Sequence, residues 1–271
     1  MNIAVLGLGW LGKPLADSFK ELGYKVKGST TSVKKLATLK KEGYKAFQVQ
    51  LNENEVAGDI EALLKDTEIL VLNTPPGLRR NPESNYVAKI ERLIPYIVAS
   101  SIEQVLFVGS TAVFEDTVTK IEINNTTTPS SNSVSGKQLM AVEKLLMSTA
   151  SFETTILRFA GLVDERRHPA TMMSQRKQIP NPLAQVNLIH REDCIAIIIR
   201  IISQRKWNKI YNAAYPFHST KQEYYTKMSK KKELTVPDFN FEGVSKGKWI
   251  NGAETAKDLN YSYQYHILHN S

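Results

Sequence analysis

Cysteine is almost absent, Cys194 being the single one in the chain. One thiol excludes an internal disulfide framework and fits a reducing compartment, so a cytoplasmic location is expected. Long apolar runs are missing too. The densest stretch, residues 194–202, contains Arg200 and is far too short to span a bilayer, which predicts no membrane partner. The opening run Ile3-Ala4-Val5-Leu6 is also too short for the core of a secretion signal. The Asn-x-Thr/Ser triplets at Asn124, Asn125 and Asn260 are then chance matches. Two further absences concern chemistry. No Asp or Glu lies between Glu21 and Glu42, and no tyrosine lies between Tyr96 and Tyr211.

The 271 residues suffice for one large α/β domain with a small appendage, and 42% hydrophobic with 23% charged residues is the balance of a soluble globular protein. The net charge of +8 favours anionic ligands. Its densest clusters, Lys34-Lys35 with Lys40-Lys41 and Lys230-Lys231-Lys232, come without a nucleic-acid motif or interleaved aromatics. Solvated helix faces and a phosphorylated small-molecule substrate are therefore expected rather than a nucleic acid.

The chain is organised around Gly7-Leu8-Gly9-Trp10-Leu11-Gly12, which follows the first apolar run. Strand, G-x-G-x-x-G and helix in that order make a dinucleotide cradle. Gly7 turns the chain off the strand, Gly9 lets a pyrophosphate approach the backbone, and Gly12 lets the helix pack close. The N–H groups of Trp10, Leu11 and Gly12, opening the helix, face the phosphates with the helix dipole behind them. Leu11, Leu15, Phe19 and Leu22 form the apolar stripe of that helix.

A second strand, residues 24–29, runs into Ser29-Thr30-Thr31-Ser32 and then Lys34 and Lys35. An acidic residue at this point takes the ribose hydroxyls of NAD and repels the extra phosphate of NADP. None is present; hydroxyls backed by ammonium groups suit a 2′-phosphate, so NADP is expected over NAD. Helix capping by the same hydroxyls is the alternative.

Further along, the pattern predicts helices over 33–41, 59–64 and 86–100, and strands over 45–49, 68–72 and 104–108. The strand at 68–72 ends in Asn73-Thr74-Pro75-Pro76-Gly77, a second cofactor-side turn whose prolines hold the backbone extended. The strand at 104–108 ends in Gly109-Ser110-Thr111-Ala112-Val113-Phe114. Such β-α alternation predicts a Rossmann-type, doubly wound parallel sheet with a small C-terminal substrate-side region. The expected division is 1–163 for the dinucleotide domain and 164–271 for the smaller region, with 187–212 rejoining the first.

The glycine run together with Val-Gly-Ser-Thr-Ala-Val-Phe resembles the short-chain dehydrogenase/reductase superfamily, in particular its extended branch of NAD(P)-dependent epimerases and dehydratases. Leu157-Arg158-Phe159-Ala160-Gly161-Leu162 resembles the strand beside the nicotinamide, which adds Ala160 and Gly161 to the cofactor residues. Asn187-Leu188-Ile189-His190-Arg191-Glu192-Asp193 and Ile210-Tyr211-Asn212-Ala213 resemble later segments, in family order. The resemblance makes Ser110 the hydroxyl that orients a substrate oxygen, with Thr111 beside it.

The family's chemistry rests on a Tyr-x-x-x-Lys helix, in which a tuned phenol moves the proton. The helix is expected over 136–147, yet it carries no tyrosine. One register puts Ser135 and Leu139 at the Tyr and Lys places; the other puts Ser133 and Lys137 there. Lys137 either reaches the ribose or is a solvated helix-start lysine. The aromatic-Gly-Pro-Gly loop of the family is replaced by Val163-Asp164-Glu165-Arg166-Arg167-His168-Pro169. These departures resemble the atypical members of the superfamily. His168 titrates near neutrality and is the candidate substitute acid. His190 and Cys194, at i and i+4, have no third ligand nearby, so no metal is expected. Two functions follow as expectations: an NADP-dependent oxidoreductase or epimerase-like enzyme on a small sugar-like or phosphorylated substrate, or a dinucleotide-binding protein that senses redox state without turnover.

Overall fold

The computed structural model describes residues 1–78, 81–119, 121–217 and 219–267. The first half alternates strand and helix: β1 (Asn2–Leu6), α1 (Gly12–Glu21), β2 (Lys25–Thr30), α2 (Val33–Lys41), β3 (Lys45–Leu51), β4 (Val56–Gly58), α3 (Ile60–Leu64), β5 (Ile69–Leu72), α4 (Tyr86–Val98) and β6 (Gln104–Ser110). After a 3-10 turn at Thr111–Val113 come β7 (Glu122–Ile123), α5 (Val134–Ser148), β8 (Glu153–Phe159), β9 (Gly161–Val163), α6 (Pro169–Met173), β10 (Leu188–His190), α7 (Arg191–Ser203), β11 (Ile210–Ala213), α8 (Lys221–Lys231), β12 (Trp249–Ile250) and α9 (Ala253–Asp258).

Eight strands form the central sheet in the order β11-β8-β6-β5-β1-β2-β3-β4. β1 lies parallel between β2 and β5, and β6 is parallel to β5. The strand order therefore reverses at β1, the point of an open α/β sheet where ligands bind beyond the carboxyl ends. The fold is of Rossmann type, as expected. β5 reads Ile-Leu-Val-Leu and is buried throughout, as a strand covered on both faces must be. The sequence pattern did not anticipate β4, which returns antiparallel to β3. In α1 the buried stripe is Leu15, Ala16 and Phe19; Leu22, expected there, is 54% exposed because the helix has already ended at Glu21.

The chain divides into two compact units, and it crosses between them five times. The first unit comprises residues 1–113, 132–157 and 201–210; the second comprises 114–131, 158–200 and 211–271. This replaces the boundary expected at 163: residues 114–131 already belong to the second unit, and 187–200 stay in it. The strands β8 and β11 and the helix α7 each run from one unit into the other, so no linker marks those three crossings.

The second unit has its own core, in which Val163, Ala170, Val186, Leu188, Tyr224 and Met228 are buried. Two short parallel pairs, β9 with β10 and β7 with β12, tie it together. Tyr224 and Tyr225 are packing residues of α8 there.

Candidate functional site

The three glycines of the first turn meet three different demands. Gly7 sits at φ +113°, a conformation that favours glycine, and a Cβ there would lie 2.5 Å from the Asn73 carbonyl oxygen. A Cβ on Gly12 would lie 2.1 Å from the carbonyl oxygen of Gly7. Around Gly9 nothing lies within 4 Å of that position, and the residue is exposed. Gly7 and Gly12 thus shape the turn, whereas Gly9 keeps its approach open. Behind it, α1 starts at Gly12 with no side chain capping its first turn. An uncapped helix start with an open approach suits an anion.

Neighbouring strands hold the turn in place. Asn73, at the end of β5, donates from Nδ2 to the Gly7 carbonyl at 3.1 Å. Ser29, at the end of β2, is 2% exposed, and its Oγ accepts from the Gly7 N–H at 3.0 Å. The Leu8 N–H donates to the Ser29 carbonyl at 2.7 Å. Lys35 reaches across from α2, its Nζ 2.5 Å from the Leu8 carbonyl oxygen.

Beside this turn the first unit has a cleft of about 610 Å³. Gly7, Ser29, Thr30, Thr31, Thr74 and Pro75 line it. The four expected hydroxyls have separate tasks. Ser29 braces Gly7; the Thr30 Oγ1 accepts from the Ser32 N–H; and Ser32 caps α2 by accepting from the Lys35 N–H. Ser32 is thus the capping residue of the alternative reading and does not line the cleft. Thr31 is exposed at its edge.

Gln50, Tyr86 and Lys89 also line the cleft, although no motif in the sequence marks them. Tyr86 opens α4 and is fully buried; its hydroxyl donates to the Thr74 carbonyl at 2.7 Å, and burial pushes the phenol well above its ordinary value. Lys89 donates to the Ser84 hydroxyl at 2.6 Å. Gln138 of α5 fixes this wall by accepting from the Tyr86 N–H and donating to the Ser84 carbonyl. Among the described residues, Lys89 is the charged residue of the lining, and no carboxylate lines the cleft with it.

The expected catalytic residues separate into two groups. Ser110, at the end of β6, is half-buried; its Oγ accepts from the Ala112 N–H at 3.2 Å, so its proton remains available to another acceptor. Thr111 is 6% exposed in the 3-10 turn, against which α5 packs. Ser133 is the N-cap of α5, accepting from Gly136 N–H at 3.0 Å. Lys137 is exposed in the first turn and forms no ion pair among the described residues. Leu139, the lysine place of the other register, is buried.

His168 belongs to the second unit and is not the open-loop acid that was expected. The residue is 2% exposed and is the N-cap of α6, where Nδ1 accepts from the Ala170 N–H at 3.1 Å. Nε2 bonds with the Tyr224 hydroxyl at 3.1 Å. Burial, together with Lys232 and Lys231, pushes its pKa down to about 4. A ring with both nitrogens engaged and its proton disfavoured holds structure rather than carrying protons. Asp164 is likewise sealed at 1% exposure, accepting from the Arg166 and Arg167 N–H groups and pairing with Arg191 at 2.7 Å. Ala160 and Gly161 are also in the second unit, where the Gly161 N–H bonds the Asn187 carbonyl.

The His190-Arg191-Glu192-Asp193 stretch is an anchoring node. Asp193 is fully buried and accepts from the Tyr261 hydroxyl at 2.5 Å and the N–H groups of Gln264 and Tyr265 at 2.9 and 3.3 Å. His190 stacks on Tyr265 with ring centroids 4.3 Å apart. Cys194 is buried, which pushes its thiol up. Among the described residues no group of histidine, cysteine and carboxylate side chains is arranged to hold a metal. No described helix is long and apolar enough to cross a membrane.

Residues 2–84 match the NAD binding domain of 6-phosphogluconate dehydrogenase, the segment that contains the glycine turn and most of the cleft. The fold is similar to UDP-glucuronic acid 4-epimerase from Bacillus cereus, solved with NAD, with a TM-score of 0.80 over 100% of this chain and 94% of that one at 15% identity. It is also similar to a putative NAD-dependent epimerase/dehydratase from Methylobacillus flagellatus, with a TM-score of 0.72 over 100% and 94% of the two chains at 22% identity. Protein YeeZ of Escherichia coli (strain K12) is 32% identical over 268 residues, which cover 97% of this chain and 96% of that protein. At that identity along nearly its whole length, the chain belongs to the family of YeeZ.

Proposed function

We propose that the protein binds NADP in the cleft of the first unit and uses it as an oxidoreductase or epimerase-like enzyme on a small sugar-like or phosphorylated substrate. The observation that carries this reading is the glycine turn, in which two glycines are sterically required and Gly9 alone faces open space before an uncapped helix start. The match of residues 2–84 to an NAD binding domain supports the dinucleotide. The choice of NADP rests on Thr31 and Lys35 near the end of β2 and on a lining that, among the described residues, contains Lys89 and no carboxylate. NADP, when bound, supplies hydride exchange. Ser110 would then donate a hydrogen bond to a substrate oxygen and orient it, with solvent water exchanging the proton; Thr111 would shape the turn that aims Ser110, and Lys137 would bond a ribose hydroxyl.

Fluorescence titration tests the cofactor. NADPH binds about tenfold tighter than NADH, and Lys35→Met removes that preference, the worth of one charge-assisted contact. Equal affinities in the unaltered chain would refute the NADP assignment. Catalysis is tested by following nicotinamide absorbance with a panel of sugar phosphates. Ser110→Ala lowers turnover by about 100-fold, within the range for losing one positioned hydrogen-bond donor, and leaves NADPH affinity unchanged.

A second reading, cofactor binding without turnover, is favoured by one observation. α5 carries no phenol, and the histidine that was to replace it is sealed in a core. NADPH binding without any oxidation across the panel supports that reading.

A further inference from the structure

The second unit contains a knot of polar side chains that the cofactor reading does not use. Asn187 ties it together: Nδ2 donates to the Gln185 carbonyl at 3.4 Å and the Lys248 carbonyl at 2.9 Å, and Oδ1 accepts from the Ile250 N–H at 2.8 Å. Gln185 forms an antiparallel bridge with Thr220, and the next residue, Lys221, donates its N–H to the Ala184 carbonyl at 2.9 Å. Three stretches far apart in sequence thus bring Gln185, Lys221 and Lys248 into one neighbourhood.

The charges there do not balance. Lys248 donates from Nζ to the Phe114 carbonyl at 2.7 Å and pairs with Asp116 at 3.1 Å. Lys221 is half-buried, and its ammonium has no hydrogen bond or ion pair among the described residues. Burial lowers its pKa, the nearby Lys248 lowers it further, and Asp116 opposes this in part. One carboxylate, itself half-exposed, therefore serves two ammonium groups. The remaining imbalance is of the opposite kind. Gln185 Oε1 is buried and accepts no hydrogen bond among the described residues. Buried acceptors are nearly always satisfied, so an orphan needs an explanation.

One ligand answers both deficits. We propose that Lys221, Lys248 and Gln185 form a binding site for a phosphorylated polyol, with the phosphate ester on the two ammonium groups and a neighbouring hydroxyl donating to Gln185 Oε1. A dianionic phosphate supplies the missing negative charge, and lysine meets it as a point charge. The hydroxyl supplies the missing donor. The α8 N-terminus is not the anion site, because the Thr220–Glu223 capping box already occupies it. Calling this ligand the substrate rests on the enzyme reading above; its binding does not.

The test is calorimetric titration of the full chain with glucose 1-phosphate, using glucose and inorganic phosphate as companions. The series is repeated in Gly9→Val, so that phosphate binding at the first-unit glycine turn is not counted. Glucose 1-phosphate binds at one site in both backgrounds, more tightly than inorganic phosphate, and glucose gives no heat. Lys221→Met and Lys248→Met each weaken glucose 1-phosphate by about tenfold or more, the worth of a charge-assisted contact. Gln185→Leu weakens glucose 1-phosphate but not inorganic phosphate. Lys221→Met removes an ammonium that makes no hydrogen bond or ion pair among the described residues and leaves Asp116 to Lys248, so its thermal midpoint does not fall, which keeps this variant interpretable if Lys248→Met fails to fold. Unchanged glucose 1-phosphate affinity in Lys221→Met, or inorganic phosphate binding as tightly as glucose 1-phosphate, would overturn the proposal. NADPH titration of the same variants is unaffected. Absence of NADPH binding to the unaltered chain sinks the cofactor reading and leaves this site standing.

Discussion

The two units hold their polar sites by different means. In the first, the backbone does most of the work: a turn, a helix start and the carbonyls around them, braced by Ser29 and Asn73. In the second, long-range side-chain bonds do it. Asp193 gathers Tyr261, Gln264 and Tyr265; Asn125 receives the Asn212 N–H and the Thr255 hydroxyl; Asn187 collects Lys248 and Ile250. A backbone site tolerates most side chains so long as glycine stands where a Cβ would collide. A side-chain site depends on each partner by identity.

Substitutions within the first unit break the comparison most sharply. Gly9→Val abolishes NADPH binding, measured by fluorescence, while the thermal midpoint stays where it was, because the new side chain enters open space. Gly12→Ala, with its Cβ 2.1 Å from the Gly7 carbonyl oxygen, costs about 3 kcal/mol in urea unfolding, at the upper end for overpacking. If Gly9→Val unfolds the chain as well, the turn does not separate shape from access.

A smaller effect tests the second unit. Asp193→Ala leaves a buried phenol and two N–H groups without their acceptor. It costs about 2–3 kcal/mol, and limited proteolysis then cuts within residues 261–267. Asp193→Asn, which retains an acceptor oxygen, costs less. Equal stability of Asp193→Ala and the unaltered chain would show that the node carries no load.

His168 supplies the smallest effect, and its sign follows from linkage. Its pKa is about 4 in the folded chain against an ordinary 6.5, so the unfolded chain holds a proton that the folded one rejects. Stability from this group is fully present above pH 6.5 and is lost as pH falls toward 4. Urea midpoints fall more steeply on acidification in the unaltered chain than in His168→Gln. Parallel profiles would mean that the ring is not held neutral.

The same contrast explains what was legible in the sequence. The parallel sheet, the glycine turn and the helices at 33–41 and 86–100 follow from local periodicity and from glycine spacing, and all are present, the last ending at Val98. The short strands β7, β9, β10 and β12 span two or three residues each, below the length at which alternation can be seen. Three of the unit boundaries were illegible because the chain crosses within the continuous elements β8, α7 and β11. His168 looked solvated because it lies among Asp, Glu, Arg and Pro. What buries it is Tyr224, 56 residues away. Thr31 could be singled out because it follows the second strand directly, and it lines the cleft. Tyr86 and Lys89 could not, since nothing near them in sequence marks the first turns of α4 as a cleft wall.

The Asp193 node also has a consequence for biosynthesis. A chain made from its N-terminus carries Asp193 long before Tyr261, Gln264 and Tyr265 exist. Until they arrive, the carboxylate stays hydrated and the α7 start cannot settle into its final environment. Asn125 waits in the same way for Asn212 and then Thr255. The glycine turn needs no such delay beyond Asn73. Vectorial synthesis thus gives the protein an order of events, in which the dinucleotide cradle takes shape early and the second unit locks late.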